Sequence, residues 1–317
     1  MPSVIIHSAG LLTTVQDAGR YGYQRFGMPV SGAMDIFSFE LANILVGNDP
    51  GAACLEATVA GPAMVFTEET AVAVTGADMG PHINGQGIPL NTAVVVKQGD
   101  RLGFTGLKNG CRSYIAFAGG IDVPPVMGSR STYLRAGIGG LEGRALREGD
   151  ELPLGEAKGK IRIRNIPENL IPEYRHSQVI RVISGPEAHY FGTDGLRSFL
   201  TTEYHVTAQS DRMGYRLSGE MIIHREGKTG IISAGISAGT VQVPGNGQPI
   251  ILMADRQTSG GYARIANVIT VDLTLLAQMK PGDTIRFNEI TLDQAQQLLL
   301  DRRDIYLQYL SGRTGRT

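Results

Sequence analysis

The most informative stretch for the fold is TGIISAGISAGTVQVPGNGQPIILMA, residues 229–254, which runs for 26 residues without a charged side chain. That length would be enough to span a bilayer as a helix. However, the stretch contains Pro244, Pro249, Asn246 and five glycines, which break a helix and mark turns. β-Branched and aliphatic runs stand at residues 240–243 and 250–253. We therefore predict buried strands joined by turns, and no transmembrane helix.

Similar short apolar runs bounded by turn residues recur along the chain. Those outside the first stretch lie at residues 71–75, 93–97, 114–118, 179–183, 221–224 and 268–271. Helical patterns are few: residues 291–310, where Thr291 and Gln294 match a capping box, and residues 38–46, which end at Gly47. The predicted fold class is mostly β with a few helices.

Composition narrows the class of protein. The chain has 317 residues, 42 of them glycine, and a net charge of −1 from 29 basic and 30 acidic side chains. A balanced charge gives no reason to expect nucleic acid or an anionic membrane as a partner. Cys54 and Cys111 stand in apolar surroundings without metal-ligand or disulfide spacing, so we expect them to be buried thiols. The N-terminus has no signal-peptide pattern, and we expect a cytoplasmic protein.

Two segments of the first half have weak counterparts in the second half. Residues 16–23 resemble residues 209–215, and residues 97–104, with a Gly-Asp pair, resemble residues 280–287. This order predicts two related β domains, although Gly-Asp turns before a strand are common enough to arise by chance. Glu, Lys, Arg and Pro replace the apolar pattern at residues 155–175. We therefore expect a domain of residues 1–170 with an Arg/Gly-rich loop and a domain of residues 171–317 that ends in a helix.

Several sequence motifs match known functional patterns, but the residues around them do not fit those functions. Residues 235–239 match G-x-S-x-G, but a strand and Pro244 follow where a nucleophile elbow needs a helix. Residues 227–229 resemble the end of a phosphate loop, but the required first glycine is Ile222. Lys280 precedes a proline, so we expect no biotin on this chain. The six histidines have no metal-ligand spacing, and we expect no metal site.

Three glycine-rich polar clusters remain. The first spans residues 14–35, the second spans residues 128–144 with three arginines, and the third spans residues 241–262. Guanidinium groups suit carboxylate or phosphate, and amide side chains suit an amide substrate. The residues that we single out are Gln16, Asp17, Arg20, Tyr23, Arg130, Ser131, Arg135, Gln242, Asp255 and Gln257. The alternatives are a structural Asp17–Arg20 ion pair, a solvated surface loop and ordinary turn chemistry.

In this order, the clusters resemble the carboxyltransferase family of allophanate hydrolase subunit 2, the carboxyltransferase region of urea amidolyase and the C subunit of bacterial 5-oxoprolinase. The segments that carry the resemblance are residues 14–20, 31–35, 55–56, 61–62, 129–132, 242–244 and 254–262, with Asn43. Ala234 is a departure, because relatives often carry an acidic residue there. The resemblance implies two cyclophilin-like β-barrel domains.

The resemblance also implies a function. We expect the C subunit of a 5-oxoprolinase that, with companion A and B subunits, hydrolyses 5-oxo-L-proline to L-glutamate with ATP as co-substrate. The proposed catalytic residues are Asp17, Arg20, Arg130 and Asp255, with the arginines as oxyanion or carboxylate clamps and the aspartates as base or orienting acid. The proposed substrate-binding residues are Gln16, Tyr23, Ser131, Arg135, Gln242 and Gln257.

Two other functions stay open. One is carboxyl transfer from carboxybiotin to a urea-like amide, because a lactam and a urea present the same N–H and C=O edge. The other is non-enzymatic: an antagonist that binds the B subunit, which in that case acts as the inhibitor of a histidine kinase.

Overall fold

A computed structural model describes residues 2–157, 166, 168–226 and 228–310. Its described residues divide into two compact units, one of residues 2–22 and 30–166 and one of residues 23–29 and 168–310. Each unit is built mainly from strands, and the predicted mostly-β class with a few helices is confirmed.

The first unit contains two antiparallel sheets. Its strands are β1 (Ser3–Ser8), β2 (Leu12–Gln16), β3 (Cys54–Thr58), β4 (Ala63–Phe66), β5 (Thr70–Asp78), β6 (Pro81–Ile83), β7 (Gln86–Gly87), β8 (Ala93–Val96), β9 (Arg101–Phe104), β10 (Asn109–Phe117) and β11 (Glu151–Pro153). One sheet has the order β11-β1-β4-β9-β6-β7 and the other the order β2-β3-β10-β5-β8. Both sheets contribute to one core, with Ile6, Met64, Leu55 and Phe117 almost fully buried.

The second unit is a closed barrel. Its strands are β12 (Ser177–Ser184), β13 (Tyr204–Val206), β14 (Gly214–Ser218), β15 (Gly230–Gly235), β16 (Thr240–Val243), β17 (Ile250–Leu252), β18 (Ser259–Val268) and β19 (Thr284–Glu289). Seven of them follow the order β12-β19-β13-β14-β17-β16-β18, and the pairing of β12 with β18 closes the ring. β15 is added to β18 outside the ring.

Four α-helices are seen in the described residues: α1 (Ile36–Leu45), α2 (Gly192–Thr201), α3 (Leu273–Ala277) and α4 (Leu292–Leu310). The predicted capping box starts α4, since the backbone N–H of Thr291 donates to Gln294 Oε1 and that of Gln294 donates to Thr291 Oγ1. No sequence signal predicts α2, whose two glycines weaken a helix. The ring of Phe199 on α2 stacks on the ring of Phe287 on β19 with 4.4 Å between the ring centres, and this packing stabilises the helix.

The Gly-Asp resemblance corresponds to a real turn. In both copies an aspartate carboxylate accepts the backbone N–H of the lysine three residues before it, 2.8 Å for Asp100 and 2.9 Å for Asp283. The glycine before each aspartate has a left-handed backbone. A third copy, Arg147-Glu148-Gly149-Asp150, has the same bond at 2.7 Å and precedes β11. The turn thus starts a strand at three places.

Three strand predictions are wrong in part. Residues 221–224 form no strand, because Ile222 is tied through its backbone to Gly247 in a turn. Residues 270–272 form a 3₁₀ turn beyond the end of β18. The uncharged stretch is buried at β16, but every residue of β15 is exposed or half-buried. β15 is more exposed than β16 because it lies outside the closed ring of strands.

Candidate functional site

Asp17 is the centre of a hydrogen-bond cluster in the first unit. One carboxylate oxygen accepts from the backbone N–H of Gly19 at 2.9 Å and from the hydroxyls of Ser129 at 2.7 Å and Ser131 at 2.5 Å. The other oxygen accepts from the backbone N–H of Arg130 at 2.5 Å. The residue as a whole is only 8% exposed. Because its lone pairs are occupied by four donors, Asp17 is suited to anchor residues 129–131.

A strained turn brings these serines to Asp17. Val126 and Ser129 exchange two backbone hydrogen bonds, and Met127 and Gly128 between them both have left-handed backbones. Two such residues in succession make the tight turn of a hairpin. A left-handed conformation is costly for a side chain as large as methionine, and such strain clusters at functional sites.

Arg20 and Gln16 bind the same loop. The fully buried guanidinium of Arg20 donates to the carbonyls of Val126 at 3.0 Å and Ser131 at 2.9 Å. The side-chain amide of Gln16 donates to the carbonyl of Thr132 at 3.2 Å. The structure therefore brings together five predicted residues: Gln16, Asp17, Arg20, Arg130 and Ser131.

Arg130 and Arg135 of the second cluster have different environments. The guanidinium of Arg130 donates to the carbonyl of Val123 at 2.7 Å and to the carboxylate of Asp122 at 2.8 Å. Arg135 is exposed and lies in a short 3₁₀ turn, residues 134–136. Tyr133 and Ile138 exchange backbone hydrogen bonds at the base of that turn. Arg135 is thus carried at the tip of a loop whose root is anchored on Asp17.

The glycines of this loop make room for protein, not for a ligand. A Cβ at Gly139 would collide with the carbonyl of Ser131, and one at Gly140 would collide with Thr132 Oγ1. A Cβ at Gly143 would collide with the carbonyl of Gly137. The loop therefore packs backbone against backbone, which requires glycine at these positions.

A second buried carboxylate of the first unit lies on β3. Glu56 accepts hydrogen bonds of 2.8 Å from the backbone N–H of Met34 and from the hydroxyl of Tyr114. Burial raises the pKa of the Tyr114 hydroxyl well above its usual value, and the charges of Glu56 and Asp35 raise it further. Burial likewise raises the pKa of the Cys54 thiol. Both groups stay protonated at neutral pH, so the thiol is not a nucleophile.

In the second unit, Asp255 is held by an arginine. Nε and Nη2 of Arg212 donate hydrogen bonds of 3.0 and 3.1 Å to its carboxylate, and both side chains are buried. The backbone N–H of Asp255 also donates to the carbonyl of Arg212 at 2.8 Å. The pair joins the turn before β14 to the turn after β17.

Gln242 and Gln257 converge at Gly260 on β18. A Cβ at Gly260 would lie 2.6 Å from Ile236 Cδ1, 2.8 Å from the amide nitrogen of Gln242 and 3.5 Å from that of Gln257. Gln242 is buried and makes one long bond of 3.4 Å to the carbonyl of Tyr262. The described part of the chain offers the Gln257 amide no hydrogen-bond partner. Two neighbouring amides are suited to bind a polar planar group.

Tyr23 lies outside both clusters, half-buried in the residues 23–29 that belong to the second unit. Ser237 of the G-x-S-x-G match contacts Thr240 and Asn267, and β16 follows it, as the sequence predicts. No group of three metal-ligating side chains is found among the described residues. Within that same part of the chain, no helix is long and apolar enough to cross a membrane.

Comparison with known proteins gives the family. A family model described as carboxyltransferase domain, subdomain A and B, matches residues 26–289. The chain belongs to this carboxyltransferase family. It is 41% identical to the C subunit of 5-oxoprolinase from Escherichia coli along 95% of both chains. It is 35% identical to urea amidolyase of Saccharomyces cerevisiae, covering 96% of this chain and 17% of that one. The solved urea amidolyase of K. lactis matches 95% of this chain and 19% of its own, with a TM-score of 0.90 and 32% identity.

Sequence reasoning missed several residues that this chain places at its clusters. Arg212 holds Asp255, and the resemblance of residues 209–215 to residues 16–23 was the signal that could have identified it. Ser129 lies within the second cluster, but nothing in the sequence distinguishes it from its neighbours. Gly260 is visible only as one glycine of a pair, because its role depends on side chains from two other segments.

Proposed function

We propose that this chain acts as the C subunit of an ATP-dependent 5-oxoprolinase and contributes to hydrolysis of 5-oxo-L-proline to L-glutamate in a complex with A and B subunits. The observation that carries the proposal is the 41% identity to the C subunit of E. coli 5-oxoprolinase along 95% of both chains. The corresponding H. influenzae protein supports it with 37% identity over 93% of both chains. The complex would work in the cytoplasm.

The reaction explains why ATP is needed. Amide resonance protects the lactam carbonyl from water. Transfer of the terminal phosphoryl group of ATP to the amide oxygen releases ADP and leaves an imidate-like phosphate. Water then adds to the phosphorylated amide carbon, and the carbon–nitrogen bond of the ring breaks to leave an acyl phosphate of glutamate. A second water displaces the phosphate and leaves glutamate. These steps need donors aimed at developing negative charge.

Within this scheme, Gln242 and Gln257 recognise the lactam amide. Their nitrogens converge at Gly260, and an amide side chain can both donate to the carbonyl and accept from the N–H of a lactam. Arg135, exposed at a loop tip of the first unit, stays a candidate cation for the substrate carboxylate. Tyr23 stays a candidate for the same amide.

The remaining predicted residues would be positioning residues. Asp17 and Asp255 are both held by several donors, which favours orientation over proton transfer. Arg20 and Arg130 donate to backbone carbonyls of the Arg/Gly-rich loop and its root. Gln16 and Ser131 bind that same loop.

We propose that ATP binds to the complex as its co-substrate, without assigning its binding site to this chain. The glycines at residues 139, 140 and 143 are occupied by the chain's own backbone and hydroxyl groups, so they offer no open cradle for phosphates. This loop therefore has no part in the phosphoryl transfer proposed above. No biotin is proposed on this chain, because Lys280 stands at a turn and bonds Asp283.

A second candidate is carboxyl transfer to a urea-type amide, which the 0.90 TM-score to K. lactis urea amidolyase favours. The same pair of glutamines would bind the N–H and C=O edge of urea. A purely non-enzymatic role, in which the chain sequesters the B subunit, would need no substrate at all.

One assay separates the three. This chain, co-expressed with A and B subunits, is supplied with ATP and either 5-oxoproline or urea, with and without bicarbonate, a biotin carboxylase and a biotinylated carrier, while ADP and glutamate are measured. We expect ADP and glutamate in equal amounts from 5-oxoproline without the carrier. ADP release that requires urea and the carrier would establish the alternative reaction. Tight binding of the B subunit without turnover of either substrate would establish the antagonist.

A further inference from the structure

β15 is an unprotected sheet edge in the second unit. It is the last strand in the order of its sheet, and β18 is its one neighbour among the described residues. In an antiparallel pair, alternate backbone groups of an edge strand point away from the sheet. The outer side of β15 therefore presents N–H and C=O groups for another strand.

The side chains of β15 make this edge unusual. Ile232 is 95% exposed, although isoleucine is among the residues most often buried. Proteins commonly protect an exposed edge with a charge or a proline, and β15 has neither. Its sequence is Gly-Ile-Ile-Ser-Ala-Gly, whose small residues let another backbone approach closely.

The apolar character extends to the neighbouring surface. Tyr262 of β18, which lies opposite Gly230 in the register, is 48% exposed. Met221 and Ile223 are 55% and 65% exposed. A Cβ at Gly247 would collide with Met221, and one at Gly245 would lie 3.9 Å from Thr229, so a single turn joins Met221 to the start of β15. Exposed apolar patches of this kind mark interaction sites.

Charge identifies the kind of partner. Two arginines that contact the end of the strand are engaged within the protein: Arg264 with Glu187 and the carbonyl of Gly235, and Arg256 with the carbonyls of Ile236 and Met253. The edge itself belongs to the 26-residue uncharged stretch. Its complement is an extended strand without charges.

We propose that β15 is a docking edge for a strand of the B subunit, which joins the sheet by β-augmentation with Ile232 at the centre of the contact. This inference rests on the complex proposed above. The strand pairs Ala234 with Gly260, the residue at which Gln242 and Gln257 converge, so a protein docked there would lie beside those amides. In urea amidolyases the matching region is 17–19% of a longer chain, which favours a different polypeptide over a second copy as occupant.

Two substitutions test the edge by different mechanisms. Ile232→Asp places a charge on the exposed side chain, and Ser233→Pro removes a backbone donor from the strand. Val179→Asp is the matched control: Val179 is 58% exposed, but β12 has a strand on both sides. Thermal unfolding of each chain establishes that it is folded, and Ile232→Asp is expected to leave the melting temperature unchanged.

Affinity for the purified B subunit is then measured by calorimetry, and the mass of each chain without partner by light scattering. We expect Ile232→Asp and Ser233→Pro to weaken binding at least tenfold and Val179→Asp to change it less than twofold. Unchanged affinity in Ile232→Asp overturns the proposal. The proposal is also overturned if the wild-type chain does not bind the B subunit. This holds whether the chain is a monomer or forms a dimer that Ile232→Asp dissociates. If binding depends on Ile232 but the complex turns over no 5-oxoproline, the docking edge stands and the proposed function fails.

Discussion

The carboxylate of Asp17 accepts a 2.5 Å hydrogen bond from the hydroxyl of Ser131, a residue 114 positions later in the chain. The same oxygen accepts from Ser129, and the other accepts from the backbone of Arg130. This contact joins the end of β2 to the root of the Arg/Gly-rich loop. The position of the exposed Arg135 at the loop tip thus depends on one buried carboxylate.

Asp17→Asn is expected to lower the free energy of unfolding by about 2 kcal/mol, because it replaces a charged acceptor of four hydrogen bonds by an amide that turns a donor toward one of them. Asp122→Asn is the control, since Asp122 is 56% exposed and pairs with the side chain of Arg130. A surface pair of this kind contributes less than about 1 kcal/mol. Denaturant unfolding of both variants measures the difference, and equal losses would contradict the anchoring role.

Gly137 and Gly139 form a matched pair in the loop. Both have left-handed backbones, but a Cβ at Gly137 meets open space, whereas one at Gly139 collides with the carbonyl of Ser131 and lies 2.8 Å from Arg20 Nη2. Gly137→Ala is expected to cost about 1 kcal/mol, the strain of the backbone. Gly139→Ala is expected to cost at least twice as much and to reduce turnover of the complex. Thermal and denaturant unfolding measure both losses of stability. Equal losses for Gly137→Ala and Gly139→Ala would show that the loop is not tightly packed at Gly139.

Gly260→Ala tests the pair of amides. The added methyl group would lie 2.6 Å from Ile236 Cδ1 and 2.8 Å from the Gln242 nitrogen, so it would displace both side-chain ends. Because these ends can move, we expect KM for 5-oxoproline to rise at least tenfold with little change in stability. Gly87→Ala is the control, because a Cβ there meets nothing within 4 Å. Steady-state kinetics of the complex provide the measurement. An unchanged KM for Gly260→Ala would show that the two amides do not bind the substrate.

The ion pair between Glu187 and Arg264 predicts a dependence of stability on pH. Hydrogen bonds from Arg264 hold the pKa of Glu187 below its ordinary value. A carboxyl whose pKa is lower in the folded protein stabilises it above the unfolded value, about 4.3, and this contribution is lost as the pH falls through the folded value. Glu187→Gln should therefore lower the melting temperature at pH 7 and have less effect near pH 3.

Melting temperatures across that range check the prediction. Glu173→Gln is the control, because Glu173 and Arg175 form an exposed pair that contributes little. A deficit for Glu187→Gln that stays constant from pH 7 to pH 3 would assign its effect to packing instead of charge.

Much of the fold could be predicted because its signals are local. The capping box of α4 involves residues three positions apart, and the bounds of β16 follow from one apolar run between a glycine and a proline. The Gly-Asp turns likewise depend on four consecutive residues. In contrast, residues 221–224 have the composition of a strand but form none, because the backbone N–H of Ile222 donates to the carbonyl of Gly247 instead of to a neighbouring strand.

The mostly-β class, the family and the identity of the polar clusters could be read from the amino-acid sequence, since these depend on residue types and short spacings. How the clusters work depends on the folded chain. Asp17 is held by residues 112–114 positions away, Arg212 pairs with Asp255 across 43 positions, and β15 is exposed because the pairing of β12 with β18 closes the barrel without it. Contacts between distant segments arise from the packing of whole sheets, and no spacing along the chain encodes them.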